Sequence, residues 1–164
     1  MSRVFLLTGS NLGDSIGLMN RAIQLINEDI GKVVSKSGIY RSKSWGYKST
    51  RDYYNQCVIT ETELNPNQVL ETILKIESKL GRVRKTDAYA DREIDIDILF
   101  YGDKIISDKK LTIPHPRMHL RRFALLPVNE VDPGLVHPVF KKSISMLLTE
   151  CIDESVVKLY KDLC

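Results

Sequence analysis

Apolar and polar positions along this chain follow two rhythms, one with the period of a strand and one with the period of a helix. "RVFLL", Arg3 to Leu7, is a compact apolar run that stops at Gly9, as a buried strand would. In "DSIGLMNRAIQLINEDIG", Ile16, Met19, Ile23, Ile26 and Ile30 fall at helical spacing, with Asp14 as N-cap and Gly31 as the stop. "KVVSKSGIYRS" and "YYNQCVITETEL" are rich in β-branched and aromatic residues and predict a strand each, joined by the polar loop "KSWGYKSTRD". A second helix is expected over "NPNQVLETILKIESKLG", capped by Asn65, opened by Pro66 and ended by Gly81. A basic loop, "RVRKTDAYADR", leads into "REIDIDILFYG", where isoleucine alternates with aspartate.

This β-α-β-β-α-β order predicts an α+β fold of the ferredoxin-like kind: a mostly antiparallel sheet with two helices packed on one face. A C-terminal extension follows, with a helix expected at "SISMLLTEC" and a final apolar strand or turn at "VVKLY". No repeat, low-complexity run or linker divides the chain, so residues 1–164 are expected to form a single domain.

The alternation in "REIDIDILFYG" raises a chemical question. On a strand Asp95 and Asp97 share one face, their Cα atoms ~6.5–7 Å apart, while Ile94, Ile96 and Ile98 share the other. Polar residues on a strand ordinarily face water. Here Leu99 and Tyr101 are expected to continue the aspartate face, which argues that this face is not simply solvent. Aspartate is a poor strand former, and neighbouring carboxylates repel unless a cation lies between them. Hard oxygen donors with vacancies left over suit Mg²⁺, whose other ligands are waters and phosphates. Arg82, Arg84, Lys85, Arg92, Arg121 and Arg122 supply positive charge around the pair, so metal and cationic clamps together fit phosphoryl transfer.

Other positions carry weaker signals. Glu77 falls on the apolar stripe of Leu70, Ile73, Leu74 and Leu80; such a carboxylate usually sits exposed at the stripe's edge, but under a metal site it could hold a ligand water or orient an arginine. His115 and His119 in "IPHPRMH" have a helical metal spacing, but Pro114 and Pro116 keep His115 off a helix, leaving it as a loop donor to a phosphate. "GSNLGD" lacks the ending of a phosphate loop and is expected to be a turn.

Composition narrows the class. Lys plus Arg number 24 against 21 for Asp plus Glu, and a formal charge of +3 suits a small anionic ligand better than nucleic acid. Cys57, Cys151 and Cys164 form no paired or C-x-x-C framework, which predicts reduced thiols in a cytoplasm. The apolar start is too short for a signal peptide, and no stretch is long enough to span a membrane.

In order and spacing, "GSNLGD", "YNQ", "IESKLGRVR", "REIDIDILFYG", "IPHPRMHLRRFALLPV" and "VHP" resemble the hydroxymethyl-dihydropterin pyrophosphokinases of folate biosynthesis across essentially the whole chain. The resemblance implies transfer of the β,γ-diphosphate of ATP to the hydroxymethyl group of a reduced pterin, releasing AMP. It implies that Asp95 and Asp97 hold two Mg²⁺ ions and that Arg82 and Arg92 clamp the transferred group. Glu77, Arg84, Tyr89, Ile98, Thr112, His115 and Arg121 would contact ATP. Tyr53 and Phe123 would sandwich the pterin, with Asn55 reading its amide edge and Ser42 and Trp45 alongside. ATP and the pterin are the expected partners, with no nucleic acid or membrane, and a monomer is expected.

Several positions depart from the family's pattern. Ala88, Tyr89, Ala90 and Asp91 replace a basic, Trp-Gly-Pro segment before Arg92, and Leu74, Pro116 and Ser42-Lys43 also differ. The loop from Arg82 to Arg92 is expected to close over bound substrates. A DxD glycosyltransferase would share the paired aspartates but needs a larger domain. An RNA-binding module would need stacking aromatics on the central strand where this chain has acids.

Overall fold

A computed structural model of the chain describes residues 1–43, 52–81 and 94–160. Its core comprises β1 (Ser2–Ser10), α1 (Ser15–Asp29), β2 (Lys32–Lys36), β3 (Ile39–Lys43), β4 (Asp52–Thr62), α2 (Pro66–Lys79) and β5 (Asp95–Tyr101). The chain continues through β6 (Ile106–Ser107), β7 (Thr112–Ile113), α3 (Arg122–Val131), α4 (Ile144–Glu150) and β8 (Val157–Tyr160). The main sheet runs β5-β1-β4-β3-β8, with β2 also paired to β4, and each of these pairings is antiparallel. With β2 and β3 taken as one interrupted strand, this is the expected β-α-β-β-α-β core with β8 added at an edge.

The helix signals are seen as capping bonds. Asp14 accepts the Gly17 N–H at 3.1 Å, and Asn65 and Gln68 exchange side-chain and backbone bonds at 2.9 Å each. Gly81 follows α2 with φ of 91°, a conformation that glycine adopts without strain. "KVVSKSGIYRS" was expected as one strand and is two. At the break the Ser37 hydroxyl oxygen accepts the Cys57 N–H at 3.0 Å, so a side chain replaces one rung of the ladder.

The two core helices pack on one sheet face, as expected, and helices of the C-terminal extension cover the other, to which the sequence reading assigned nothing. On the first side α1 and α2 bury Met19, Ala22, Ile26, Val69, Ile73 and Ile76 against Val4, Leu6, Ile94, Ile96 and Ile98. On the second, Ala124, Leu125 and Val128 of α3 and Ile144 and Leu147 of α4 pack on Phe5, Leu7, Cys57, Ile59, Leu99 and Phe100. The helix α3 had no counterpart in the sequence reading. It follows a basic segment and contains Pro127, yet a proline removes only one backbone donor, and the buried apolar side of this helix outweighs that loss.

A bulge in β5 corrects a second expectation. Leu6 pairs with Ile98 but Phe5 with Phe100, so Leu99 is an extra residue and the facing reverses beyond it. Leu99 continues the aspartate side, whereas Tyr101 joins the α1/α2 core and its hydroxyl donates to the Leu64 carbonyl. Among the described residues no helix is long and apolar enough to cross a membrane.

Candidate active site

The second face changes character along its strands. Near Phe5, Ile59 and Phe100 it is apolar core; toward the other end of β1 the same face carries polar side chains. Strand pairing lines up Asp95 with Gly9, Gly9 with Asn55, and Asn55 with Tyr40, one row across four strands. In the next row inward Asp97 pairs with Leu7 and Leu7 with Cys57. Asp95 and Asp97 are both half-buried.

Gly9 makes this row possible. The sequence reading stopped the strand there, but β1 continues to Ser10. A Cβ on Gly9 would lie 2.7 Å from Asn55 Nδ2 and 3.0 Å from the Tyr53 ring, so both side chains use the space a larger residue would fill. A glycine inside a strand pattern is the one sequence signal that could have shown this close approach. Asn55 Nδ2 donates to the Thr8 carbonyl at 3.3 Å, which fixes the amide's orientation. Its Oδ1 is buried and has no hydrogen-bond partner among the described residues, leaving an acceptor for a donor brought by a ligand. Ser42, in register with Tyr53, is also buried.

Glu77 is not at an exposed edge. It is 4% exposed, and its Oε2 accepts the Ile96 N–H at 2.9 Å, between the two aspartates. Reaching from α2 to the backbone of β5, this carboxylate ties the helix to the strand that carries the acidic pair. Burying a charge this way is costly without directed donors, which is why it is found bonded to the strand and not merely packed beneath it.

His115 follows β7 and is anchored to β5 by its N–H, which donates to the Leu99 carbonyl at 3.0 Å. Its Nδ1 accepts the Arg117 N–H at 3.1 Å, so the neutral ring carries its proton on Nε2 and offers a donor there. Burial lowers its pKa to about 4; Arg121 and Arg117 push the same way and Asp95 opposes them. At neutral pH His115 is therefore an uncharged donor. Arg121 lies over the Phe123 ring at 5.6 Å from the centroid, and Phe123, in the first turn of α3, packs on the second-side core.

The remaining expectations divide. Ile98 is buried in the α1/α2 core, so only its backbone faces the rest of the site. Thr112 is exposed on β7 just ahead of His115, Leu74 is half-buried and Pro116 is exposed. Trp45, Arg82, Arg84, Tyr89 and Arg92 lie outside the described residues, as does the loop expected to close. Among the described residues no three of His, Cys, Asp and Glu are grouped to hold a metal. Two carboxylates on one face nonetheless fit Mg²⁺, which binds through one or two carboxylates plus substrate phosphates and not in an all-protein cage.

The family model described as 7,8-dihydro-6-hydroxymethylpterin-pyrophosphokinase matches residues 5–133, a span that includes every residue of the polar row. The chain belongs to this pyrophosphokinase family. A 2-amino-4-hydroxy-6-hydroxymethyldihydropteridine pyrophosphokinase of Aquifex aeolicus is 36% identical, covering 88% of this chain and 89% of the relative. The enzyme of that name from Haemophilus influenzae is 35% identical over 97% of this chain and 99% of its own length. The folic acid synthesis protein fol1 of Pneumocystis carinii is 39% identical, but the chain spans only 20% of it. Among solved structures, Plasmodium falciparum HPPK-DHPS superposes with a TM-score of 0.75 at 18% identity, over 92% of this chain and 43% of that one. At that identity the likeness speaks for the pyrophosphokinase fold alone.

Proposed function

We propose that the pyrophosphokinase reaction takes place at the polar end of the second sheet face, with ATP over β5 and the pterin over β4. The reaction is transfer of the β,γ-diphosphate of ATP to the hydroxymethyl group of 6-hydroxymethyl-7,8-dihydropterin, giving the pterin diphosphate and AMP, in folate biosynthesis. The observation that carries the placement is the Asp95–Gly9–Asn55 row. It sets an acidic strand and an unsatisfied buried amide acceptor ~10 Å apart, two strand spacings, on one face.

Asp95 and Asp97 are the residues that would hold magnesium, with two ions expected. Bound there, it would supply charge neutralisation for the phosphates of ATP. Glu77 fixes the strand beneath them, while His115 Nε2 and Arg121 offer donors to the nucleotide, and Thr112 and the Ile98 backbone flank it. From outside the described residues, Arg82 and Arg92 are proposed as clamps on the transferred group, with Arg84 and Tyr89 as further ATP contacts. Asn55 Oδ1 would accept from the pterin's amide edge, with Ser42 and Trp45 beside it, and Tyr53 and Phe123 would stack on its faces. Holding both substrates in place and neutralising charge supply most of what this transfer needs, so no covalent intermediate is invoked. The chain is proposed to act as a single catalytic domain and as a monomer. The free thiols of Cys57 and Cys151 support a reducing, cytoplasmic setting.

Product chromatography tests the reading. Purified protein with ATP, Mg²⁺ and hydroxymethyl-dihydropterin should yield AMP in step with a pterin diphosphate. Formation of ADP, or of AMP equally well without the pterin, would overturn it.

A further inference from the structure

The strands and α3 meet at one polar contact that the proposed chemistry does not use. Glu130 lies in the last turn of α3, at the helix end where the dipole disfavours negative charge. Two donors from the β2–β3 segment hold it there: the Gly38 N–H reaches Oε2 at 2.9 Å and the Tyr40 hydroxyl reaches Oε1 at 2.7 Å. Gly38 has no side chain to stand between its backbone and the carboxylate; a Cβ there would already meet Leu159 Cδ1 at 2.6 Å. Burial, the hydrogen bond to Glu130 and that residue's charge all push the Tyr40 hydroxyl up, so it stays a donor at any working pH.

The position of this contact gives it meaning. Tyr40 is in register with Asn55, and Ser42, farther along the same strand, is in register with Tyr53. Phe123 lies at the opposite end of α3 from Glu130, ~10 Å away along the helix. Ala124, Leu125 and Val128 hold α3 to the sheet by apolar burial, which sets its depth but gives no directional hold against sliding or rotation. Directed bonds supply that hold. At the start of α3 the Arg122 N–H donates to Asp153 at 3.0 Å, outside the pterin-facing strands, whereas the Glu130 bonds tie the helix directly to the β2–β3 segment.

We propose that Glu130 and Tyr40 are positioning residues: their bond fastens α3 to β3 and so sets how far Phe123 stands from Asn55 and Tyr53, and thus the width of the slot for a flat ring. The proposal rests on the pterin roles of Asn55 and Phe123. A loosened strut leaves the ring's partners present but misplaced, so it weakens pterin binding far more than nucleotide binding.

Steady-state kinetics in both substrates for Tyr40→Phe, Glu130→Gln, Phe123→Ala and the Tyr40→Phe/Phe123→Ala double variant test this. Each strut variant should raise the pterin KM ~5–10-fold, with kcat and the ATP KM within about twofold of the parent, since only ground-state pterin binding is lost. Adding Tyr40→Phe to Phe123→Ala should raise the pterin KM little further, because the strut acts through that ring. Tyr40→Phe keeps the buried ring, so it remains informative if Glu130→Gln proves too unstable to assay. If Phe123→Ala raises the pterin KM while the strut variants do not, or if the double variant shows the full product of the single effects, the strut role is wrong and the pterin reading survives. If Phe123→Ala itself leaves the pterin KM unchanged, the pterin reading fails and takes the strut with it.

Discussion

The two faces of the central sheet are made by the same strands yet do different things. Against α1 and α2 the face is mainly apolar core: Ile98 pairs with Leu6 and Leu6 with Val58, while the threonines on it, Thr8 beside Ile96 and Thr60 beside Val4, are fully buried and donate their hydroxyls to the Gln56 and Gly31 carbonyls. Against α3 and α4 the face begins as core at Phe5 and Phe100 and ends as the Asp95, Gly9 and Asn55 row, with the Tyr53 ring close to Gly9. A strand alternates its side chains, so one strand can be anchored by isoleucine on one side while it presents aspartate on the other. The first face supplies the rigidity on which the second face's chemistry depends.

Substitutions on the two faces should therefore separate stability from activity. The largest effect is expected at Leu6, fully buried on the α1/α2 side. Leu6→Ala should cost about 2–5 kcal/mol of stability, read by urea denaturation, while the folded fraction keeps near-normal turnover. A loss of activity in protein that remains folded would mean that the faces are not separable. Asp97→Ala should do the converse, costing about 3–4 kcal/mol of transition-state stabilisation with the melting temperature unchanged or raised. Unfolding of this variant would make the acidic pair structural, and full activity in saturating Mg²⁺ would remove its proposed role.

A smaller effect is expected within the polar end. Phe123→Ala should weaken pterin binding by about 1–3 kcal/mol through lost burial and stacking, with less effect on ATP. An equal loss for both substrates would place Phe123 elsewhere in the site.

The smallest effect appears only in acid and again tells the faces apart. All three histidines lie away from the α1/α2 core. His137 is buried between Phe100 and Phe140, and its Nδ1 accepts the Val139 and Phe140 N–H groups at 3.2 Å each. Burial lowers its pKa to about 4, with His119 acting the same way. The unfolded chain, with an ordinary histidine pKa of ~6.5, takes up the proton first as pH falls, so the stability this group contributes is present above ~6.5 and lost toward 4. His115 shifts in the same direction. Amide exchange at pH 5 should thus rise first around α3 and α4, and His137→Asn, which keeps an acceptor but does not titrate, should flatten the pH dependence. Equal acid sensitivity on both faces would contradict this.

How much of this was legible in the sequence follows from what each signal depends on. The alternation of Ile94 to Ile98 and the caps at Asp14 and Asn65 are local, and they appear in the structure as read. The bulge at Leu99 is set by pairing with β1, a partner far away in sequence, so the facing of Tyr101 could not be read from alternation. Glu77 was left between an exposed edge and a place under the acidic pair for the same reason: its burial depends on a backbone donor from Ile96 that no helical stripe reveals. The helix α3 was hidden by Pro127 and the basic residues before it, because a helix stabilised by packing does not need strong local propensity. The polar row itself was half legible. Asp95, Tyr53 and Asn55 stood out by type, but Gly9, which lets them share a surface, looked only like the end of a strand.

The central claim is that metal and pterin sit on one face, across β1 from each other. Mn²⁺ in place of Mg²⁺ offers the most direct measure, through paramagnetic broadening of the pterin's hydroxymethyl protons in a ternary complex with a non-transferable ATP analogue. With the ion at Asp95 and Asp97 and the pterin over Asn55, two strands away, the protons should lie within about 10 Å of it and broaden strongly. The broadening should vanish in the Asp95→Asn/Asp97→Asn double variant. Signals as sharp as those of free pterin, or broadening that survives the double variant, would contradict the claim.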